Sequence, residues 1–245
     1  MNVEQSIQAK LLDLAAVDAE LTRIEHRRKV LPEEKEVQQL DAERTARKDA
    51  AVKVEILIDD LDRDIRKLEG EIEAVSKREE RDRSLLASGS TGAKQLSELQ
   101  HELASLERRR KVLEDDLIDV MERREAAGAD HDHAGANLDH AEVQLAEAER
   151  RRDEAVKDLN VAQQRCESDR AALTGRFPDE LLATYDKQRI ANGVGAALLQ
   201  ARRCGACRIE IDRGEIARIA KTAPDVVVRC PECGAIMVRT KQSGL

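Results

Sequence analysis

Residues 54–75 read VEILIDDLDRDIRKLEGEIEAV, and the spacing of their apolar positions decides the fold. Val54, Ile58, Leu61, Ile65, Leu68, Ile72 and Val75 recur in steps of four and three, with charged residues filling most places between them. Such a stripe lies along one side of an α-helix, and a seven-residue repeat sustained this long marks a coiled coil. Upstream the same seam carries Val37, Leu40 and Ala51, with Arg44 and Arg47 as polar steps. Before it comes a first stretch of Val3, Ile7, Leu14, Val17, Leu21, Ile24 and Leu31, with Lys10 and Arg28 filling the missing steps. The phase shifts near Pro32, which removes a helical hydrogen bond and crowds the preceding turn, so a kink or short break is expected there.

Downstream, Ser88-Gly89-Ser90-Thr91-Gly92 interrupts the pattern, and two glycines in a Ser/Thr cluster predict a turn over 87–93. A second seam follows: Leu96, Leu99, Leu103, Leu106, Leu113, Leu117 and Val120. It continues through Ala127, Ala134, Leu138, Ala141, Leu145, Ala148, Ala155, Leu159, Ala162, Cys166 and Leu173, interrupted by Arg110, Arg124, His131 and Arg152. Two arms of similar length joined by one turn predict an antiparallel hairpin, each arm spanning about 120 Å at the helical rise. The competing arrangement pairs both arms with another chain, so a monomer and a coiled-coil dimer both remain open. The alanine-rich column from Ala127 to Ala162 permits close helix approach.

Composition agrees. Of 245 residues, 38% are charged and 1% aromatic, with one Phe, one Tyr and no Trp, so a large globular core is excluded. No stretch approaches 18 apolar residues, and no membrane span is expected. The net charge of −8 is uneven: residues 201–245 hold nine Lys/Arg against five Asp/Glu, a mildly basic tail after an acidic rod.

That tail contains Cys204-Gly-Ala-Cys207 and Cys230-Pro-Glu-Cys233, two Cys-x-x-Cys pairs with 22 residues between them. Each pair can turn two thiolates toward one point, and two such knuckles complete a tetrahedral Zn²⁺ shell. The spacing slightly exceeds the usual range of about 15–20 residues and leaves room for a short extra element. A redox pair would need a thioredoxin-like βαβ unit, and an Fe–S cluster is the other four-thiolate alternative. Met1 is followed by polar Asn2, Glu4 and Gln5 with no apolar run, so a cytoplasmic setting with reduced thiols is expected, which disfavours a disulfide. One structural zinc held by Cys204, Cys207, Cys230 and Cys233 is the reading, with no position left open for a catalytic water.

Around the knuckles the elements are short. Phe177-Pro178-Asp179-Glu180 opens a helix ending at Asn192-Gly193, with Phe177 and Tyr185 forming a mini-core. Ala196–Leu199 predicts a strand, Asp212 caps a helix from Arg213 to about Lys221, Val226-Val227-Val228 leads into the second knuckle, and Ala235–Val238 leads out. The chain is thus mainly α: a coiled-coil hairpin over 1–173, then a linker helix and zinc ribbon over 174–245. Cys166 reads as a small buried residue. Of His131, His133 and His140, only the last two share a helix face, so a second metal site is not predicted.

Leu181-Leu182-Ala183-Thr184-Tyr185, Gly193-Val194-Gly195 with Ala196–Leu199, Cys204-Gly205-Ala206-Cys207 and Val228-Arg229-Cys230-Pro231-Glu232-Cys233-Gly234 carry a resemblance, as do Lys94-Gln95-Leu96 and Leu99-Gln100-His101-Glu102. Together they resemble the bacterial C4-type zinc-ribbon family once known as domain of unknown function 164, across nearly the whole chain. An Arg often follows the last glycine in that family; here it is Ala235. The resemblance implies a cytoplasmic, non-enzymatic zinc protein that engages protein partners, in some cases transcription or secretion components, with a nucleic-acid role proposed for the ribbon. No Walker A loop, nucleophile elbow or His-Glu-x-x-His stretch appears, so an enzyme is not expected. Arg202, Arg203, Arg208, Arg213, Arg218, Arg229 and Arg239 are the candidate surface for a protein partner or, alternatively, for RNA or DNA.

Overall fold

A computed structural model of the chain describes residues 1–89 and 92–245. Its elements run α1 (Gln5–Lys29), α2 (Pro32–Ala87), α3 (Ala93–Thr174), α4 (Asp179–Asn192), β1 (Ala196–Gln200), β2 (Arg203–Cys204), α5 (Arg213–Lys221), β3 (Val228–Arg229) and β4 (Ile236–Val238). The break expected near Pro32 is real. α1 stops at Lys29, the Val30 amide donates to His26 O at 3.2 Å, and Pro32 opens α2, where its missing N–H costs nothing. Of the expected turn, Gly89 takes a left-handed φ of 60°, and Ser90 and Thr91 lie outside the described residues.

By packing, the chain forms two units, Glu33–Arg150 and Met1–Pro32 with Arg151–Leu245. This division cuts across both helical arms, whereas the boundary at 173/174 follows sequence order. In the unit Glu33–Arg150, α2 and α3 run antiparallel: Arg83 pairs with Glu107 at 3.0 Å, Arg110 with Glu79 at 3.2 Å and Arg124 with Asp62 at 3.0 Å. Partner numbers fall on one arm as they rise on the other, as a hairpin requires. The seam is the expected one: Val37, Leu61 and Val75 of α2 and Leu113, Ala127, Ala141 and Ala148 of α3 are buried. Of the expected polar steps, Arg47 and Arg124 turn outward. One polar seam residue was not anticipated. Glu79 is buried and held by Arg83 at 3.4 Å and Arg110 at 3.2 Å.

In the other unit, α1 lies against the end of α3, with Arg28 donating to Asn160 Oδ1 at 2.7 Å, and against β1 and β4. The second contact widens its buried face. Gln8, Leu11 and Asp18 are buried beside Leu14 and Ile24, whereas the seam position Lys10 is exposed. The sheet order is β2-β1-β4-β3, with β1 and β4 parallel and both outer pairs antiparallel. A parallel pair needs a crossover, and α5 lies in it, which accounts for the long spacing between knuckles. Asp212 caps α5 by accepting from the Gly214 amide at 2.7 Å.

The sheet separates two cores. Ile236 and Val238 face Val3, Leu11, Leu14, Phe177, Leu181, Tyr185 and Ala196, while Met237 faces Leu199, Ile211, Ile216, Ile219, Val228, Cys204 and Cys230. That alternation is the two-residue period of a strand. The strand expected at Val226–Val228 is shortened to Val228–Arg229. Val227 instead donates to Met1 O at 3.2 Å, and Asn2 bridges Val226, so the chain's first residues pair where the strand was expected. Gln8 closes this junction, donating to Val3 O at 2.7 Å and to Asp225 O at 3.1 Å.

Where α1, α3 and α4 meet, Asp18 is buried among polar partners. It accepts from Tyr185 Oη at 2.7 Å and Arg170 Nε at 2.8 Å, and Arg189 Nε lies 3.5 Å away. Arg170 also donates to Asp186 at 2.6 Å. Burial and the Asp18 carboxylate push the Tyr185 hydroxyl well above its ordinary value.

Candidate metal centre

β1 turns at Ala201 and Arg202, both with positive φ, into β2, and β2 delivers Cys204 to the first knuckle. There the Cys204 amide donates to Ile209 O at 3.1 Å and the Arg208 amide to Cys204 O at 2.7 Å, closing a tight loop. Gly205 has to be glycine. Its amide donates to Leu198 O at 2.9 Å, and a Cβ there would stand 2.8 Å from that same oxygen. The second knuckle is closed by Gly234 N to Cys230 O and Cys230 N to Ala235 O, both 2.9 Å, with Gly234 at φ 74°. α4 supports it from outside, where Asn192 donates to Cys233 O at 2.9 Å and Gln188 donates to the same oxygen, and Arg229 of β3 donates to Gly234 O at 3.1 Å.

The knuckles bring four sulfurs to one point. All four Sγ atoms lie within 4.8 Å of one another, with Cys204–Cys233 at 3.8 Å and Cys207–Cys230 at 3.9 Å. Thiolates about 2.3 Å from a central Zn²⁺ at tetrahedral corners stand about 3.8 Å apart, so the donor set and its spacing fit that ion. One structural zinc held by the four cysteines is the consequence. Among the described residues this is the sole group of three or more His, Cys, Asp or Glu placed to hold a metal, and His131, His133 and His140 are exposed.

The free thiols show what the cation must overcome. Burial pushes Cys233 up to about 12 and also raises Cys204, with amides of the knuckles pulling the other way. The Ile209 amide holds Cys207 below its ordinary value. A bound divalent cation reverses the balance and keeps the sulfurs as thiolates.

The seven candidate arginines separate into three groups. Arg239 is not a surface residue. It is buried, and its guanidinium donates to Thr222 O and Ala223 O at 2.7 Å, Val226 O at 2.8 Å and Pro224 O at 3.0 Å. Burial lowers its pKa, yet this cage of carbonyls accepts its donors and fixes the crossover after α5. Arg203, Arg218 and Arg229 are exposed but engaged, with Glu210 at 3.3 Å, with Glu215 at 2.8 Å and with Gly234 O. Arg202, Arg208 and Arg213 are exposed with no side-chain partner among the described residues. Residues that sequence reading passed over are Gln188 and Asn192, which brace Cys233. Their spacing of one helical turn just before Gly193 was the signal available.

A Gly205→Ala substitution is expected to destabilise the ribbon by about 1–3 kcal/mol, since Leu198 O is backbone and cannot step aside as a side-chain tip would. Faster zinc transfer to a colorimetric chelator at fixed temperature reads the effect. An unchanged rate would show that the knuckle relaxes without cost.

Fold and site together define a class: a coiled-coil helical hairpin carrying a C4 zinc ribbon. The family model described as "CT398-like coiled coil hairpin domain" matches residues 14–193, and that of the "C4-type zinc ribbon domain" matches 203–237. The chain belongs to the CT398-like coiled-coil hairpin family. It is 49% identical over 232 residues to a protein of Mycobacterium tuberculosis named only as uncharacterized, covering 95% of each chain. A protein of Mycobacterium leprae, named in the same way, is 39% identical over 228 residues, 93% of this chain and 98% of that one. A solved structure from Mycobacterium smegmatis is similar with a TM-score of 0.87 at 48% identity, covering 98% of this chain and 100% of that chain. CT398 from Chlamydia trachomatis shares the fold, with a TM-score of 0.70 at 18% identity over 96% and 98% of the two chains.

Proposed function

We propose that this chain is a non-enzymatic adaptor whose helical arms and zinc ribbon each present a surface to protein partners. A site filled by four cysteines keeps no coordination position for substrate or catalytic water, which supports a scaffolding role for the metal. The observation that carries the reading is the outward chemistry of the described residues. Large apolar side chains stand exposed on the arms away from the seam, among them Ile56, Val112, Ile118 and Val143. On the ribbon, Arg202, Arg208 and Arg213 are exposed and unpaired. Among the described residues no helix is long and apolar enough to cross a membrane.

The same three arginines support a second reading, binding of RNA or DNA through phosphate contacts. One comparison separates the two. The intact chain and a variant with Arg202, Arg208 and Arg213 all changed to Glu are used as baits, and co-purifying protein and RNA are both identified. The adaptor reading expects discrete proteins with the intact chain, and a subset lost with the variant. The nucleic-acid reading expects RNA that is lost with the variant and whose affinity for the intact chain falls steeply as salt rises. Recovery of neither removes both readings.

A further inference from the structure

We infer that a groove midway along the hairpin is the seat of a cationic amphipathic helix from a partner protein, an inference that rests on the adaptor reading and specifies it. The hollow arises from the sequence of the seam. From Arg124 to His131, α3 places Arg124, Gly128 and His131 along the hollow, and the small Ala127 is the one buried residue of that stretch. Arg124 lies at the rim of the interface, pairing across to Asp62 of α2 at 3.0 Å while 45% exposed, and Gly128 brings no side chain at all. Two adjoining hollows of about 650 and 380 Å³ result, sharing Arg124, Gly128 and Asp132. They follow α3 from Ile118 to Asp132, about 21 Å, or roughly four turns of a docked helix.

The lining has an apolar part and an acidic rim. Ile118 and Met121 are 54% and 51% exposed and stand beside Ile65, one turn apart on the same face of α3. They can anchor apolar residues of a partner helix at three- and four-residue spacing. The rim carries Glu55, Asp59, Glu122, Glu125 and Asp132. None of the first four has a cationic partner among the described residues, and Asp132 has His131 Nδ1 at 3.8 Å. Elsewhere on α2, Asp41, Glu43, Asp60 and Glu73 are neutralised one turn away by Arg44, Arg47, Arg63 and Lys77. The one arginine of the groove is already used by Asp62. Unscreened carboxylates on both sides of an apolar strip attract a helix with Lys or Arg flanking its apolar face and repel an acidic one.

The test uses the full zinc-loaded chain and a displayed library of 14-residue peptides. Apolar residues occupy positions i, i+3, i+4 and i+7, and the flanking positions are randomised among Lys, Arg, Gln, Asp and Glu. Enriched peptides are expected to carry a net positive charge. Met121→Glu is expected to weaken their binding at least tenfold, and Glu122→Gln with Glu125→Gln to weaken it severalfold while flattening its salt dependence. Val143→Glu, an exposed apolar site outside the groove, controls for added surface charge and is expected to change little. Absence of enrichment, enrichment of neutral or acidic peptides, or unchanged affinity in Met121→Glu overturns the proposal. So does sedimentation showing that Met121→Glu turns a dimer into a monomer, since the occupant is then a second copy. If the groove fails while the intact chain still recovers discrete proteins, the adaptor reading stands on its other surfaces.

Discussion

Removal of zinc, by a tight chelator or by Cys230→Ser, is expected to unfold the ribbon while leaving the α2–α3 pairing of Glu33–Arg150 intact. Cys204 and Cys230 are members of the second core as well as ligands, so losing the metal removes the wall against which Ile216, Ile219 and Met237 pack. Zinc binding of this kind is worth about 10–16 kcal/mol at neutral pH, far more than so small a core supplies. β4 transmits the loss. Met237 belongs to the ribbon core, while its neighbours Ile236 and Val238 pack on Tyr185. Tyr185 is the single tyrosine in a chain without Trp, so the tyrosine band of the near-UV circular dichroism spectrum reads that core through one residue. The expected result is loss of the Tyr185 signal with most of the helical far-UV signal retained, and one zinc released per chain. A Tyr185 signal unchanged after complete zinc release would break the proposed link between the two cores.

The pH dependence follows from the thiols. Burial raises the Cys233 and Cys204 thiols above their ordinary value where the four sulfurs converge, so at neutral pH both hold their protons until a cation displaces them. Zinc must expel those protons to bind, so its affinity rises with pH and the metal leaves in acid.

Asp18→Ala is expected to cost about 3 kcal/mol, the low end of the range for breaking a buried pair, because Arg170 keeps Asp186 at 2.6 Å. The substitution strands the buried Tyr185 hydroxyl and removes the charge to which Arg170 and Arg189 turn. Denaturant unfolding followed at Tyr185 reads the loss, and Asp18→Asn should fall between, retaining an acceptor but not the charge. An unchanged midpoint in Asp18→Ala would mean that water replaces the carboxylate freely. The wild type also carries an alkaline limit. Tyr185 has a folded-state pKa above its ordinary 10.0, so its contribution is whole below that pH and drains away as pH climbs beyond it.

Much of this molecule was readable from periodicity. The α2 seam from Val37 to Val75 and the α3 seam from Leu99 to Leu173 fall where residue spacing put them, with the expected first position Leu96 exposed, because a long helix pairing with one neighbour has one buried stripe and a fixed period. α1 departs from that rule for the same reason. It has two neighbours, α3 and the sheet, so Gln8, Leu11 and Asp18 join the buried face and Lys10 leaves it. A heptad count made on the sequence has no term for a second partner.

The ribbon divides in the same way. The ligands Cys204, Cys207, Cys230 and Cys233 were evident from spacing, since two short knuckles make a metal shell almost independently of what surrounds them. Arg239 was not: as a letter it is one cation among nine in the tail, and only the crossover that wraps five carbonyls around it makes it an interior residue. The sequence by itself determined the two helical arms, the break at Pro32 and the metal, because each rests on contacts a few residues apart or on a repeating local period. The tertiary structure alone decided that the chain's first residues complete the ribbon, that Asp18 reaches Tyr185 and Arg170, and which arginines face outward. The first two depend on groups more than 150 positions apart and the third on how the crossover after α5 wraps, and in each the meeting is set by packing.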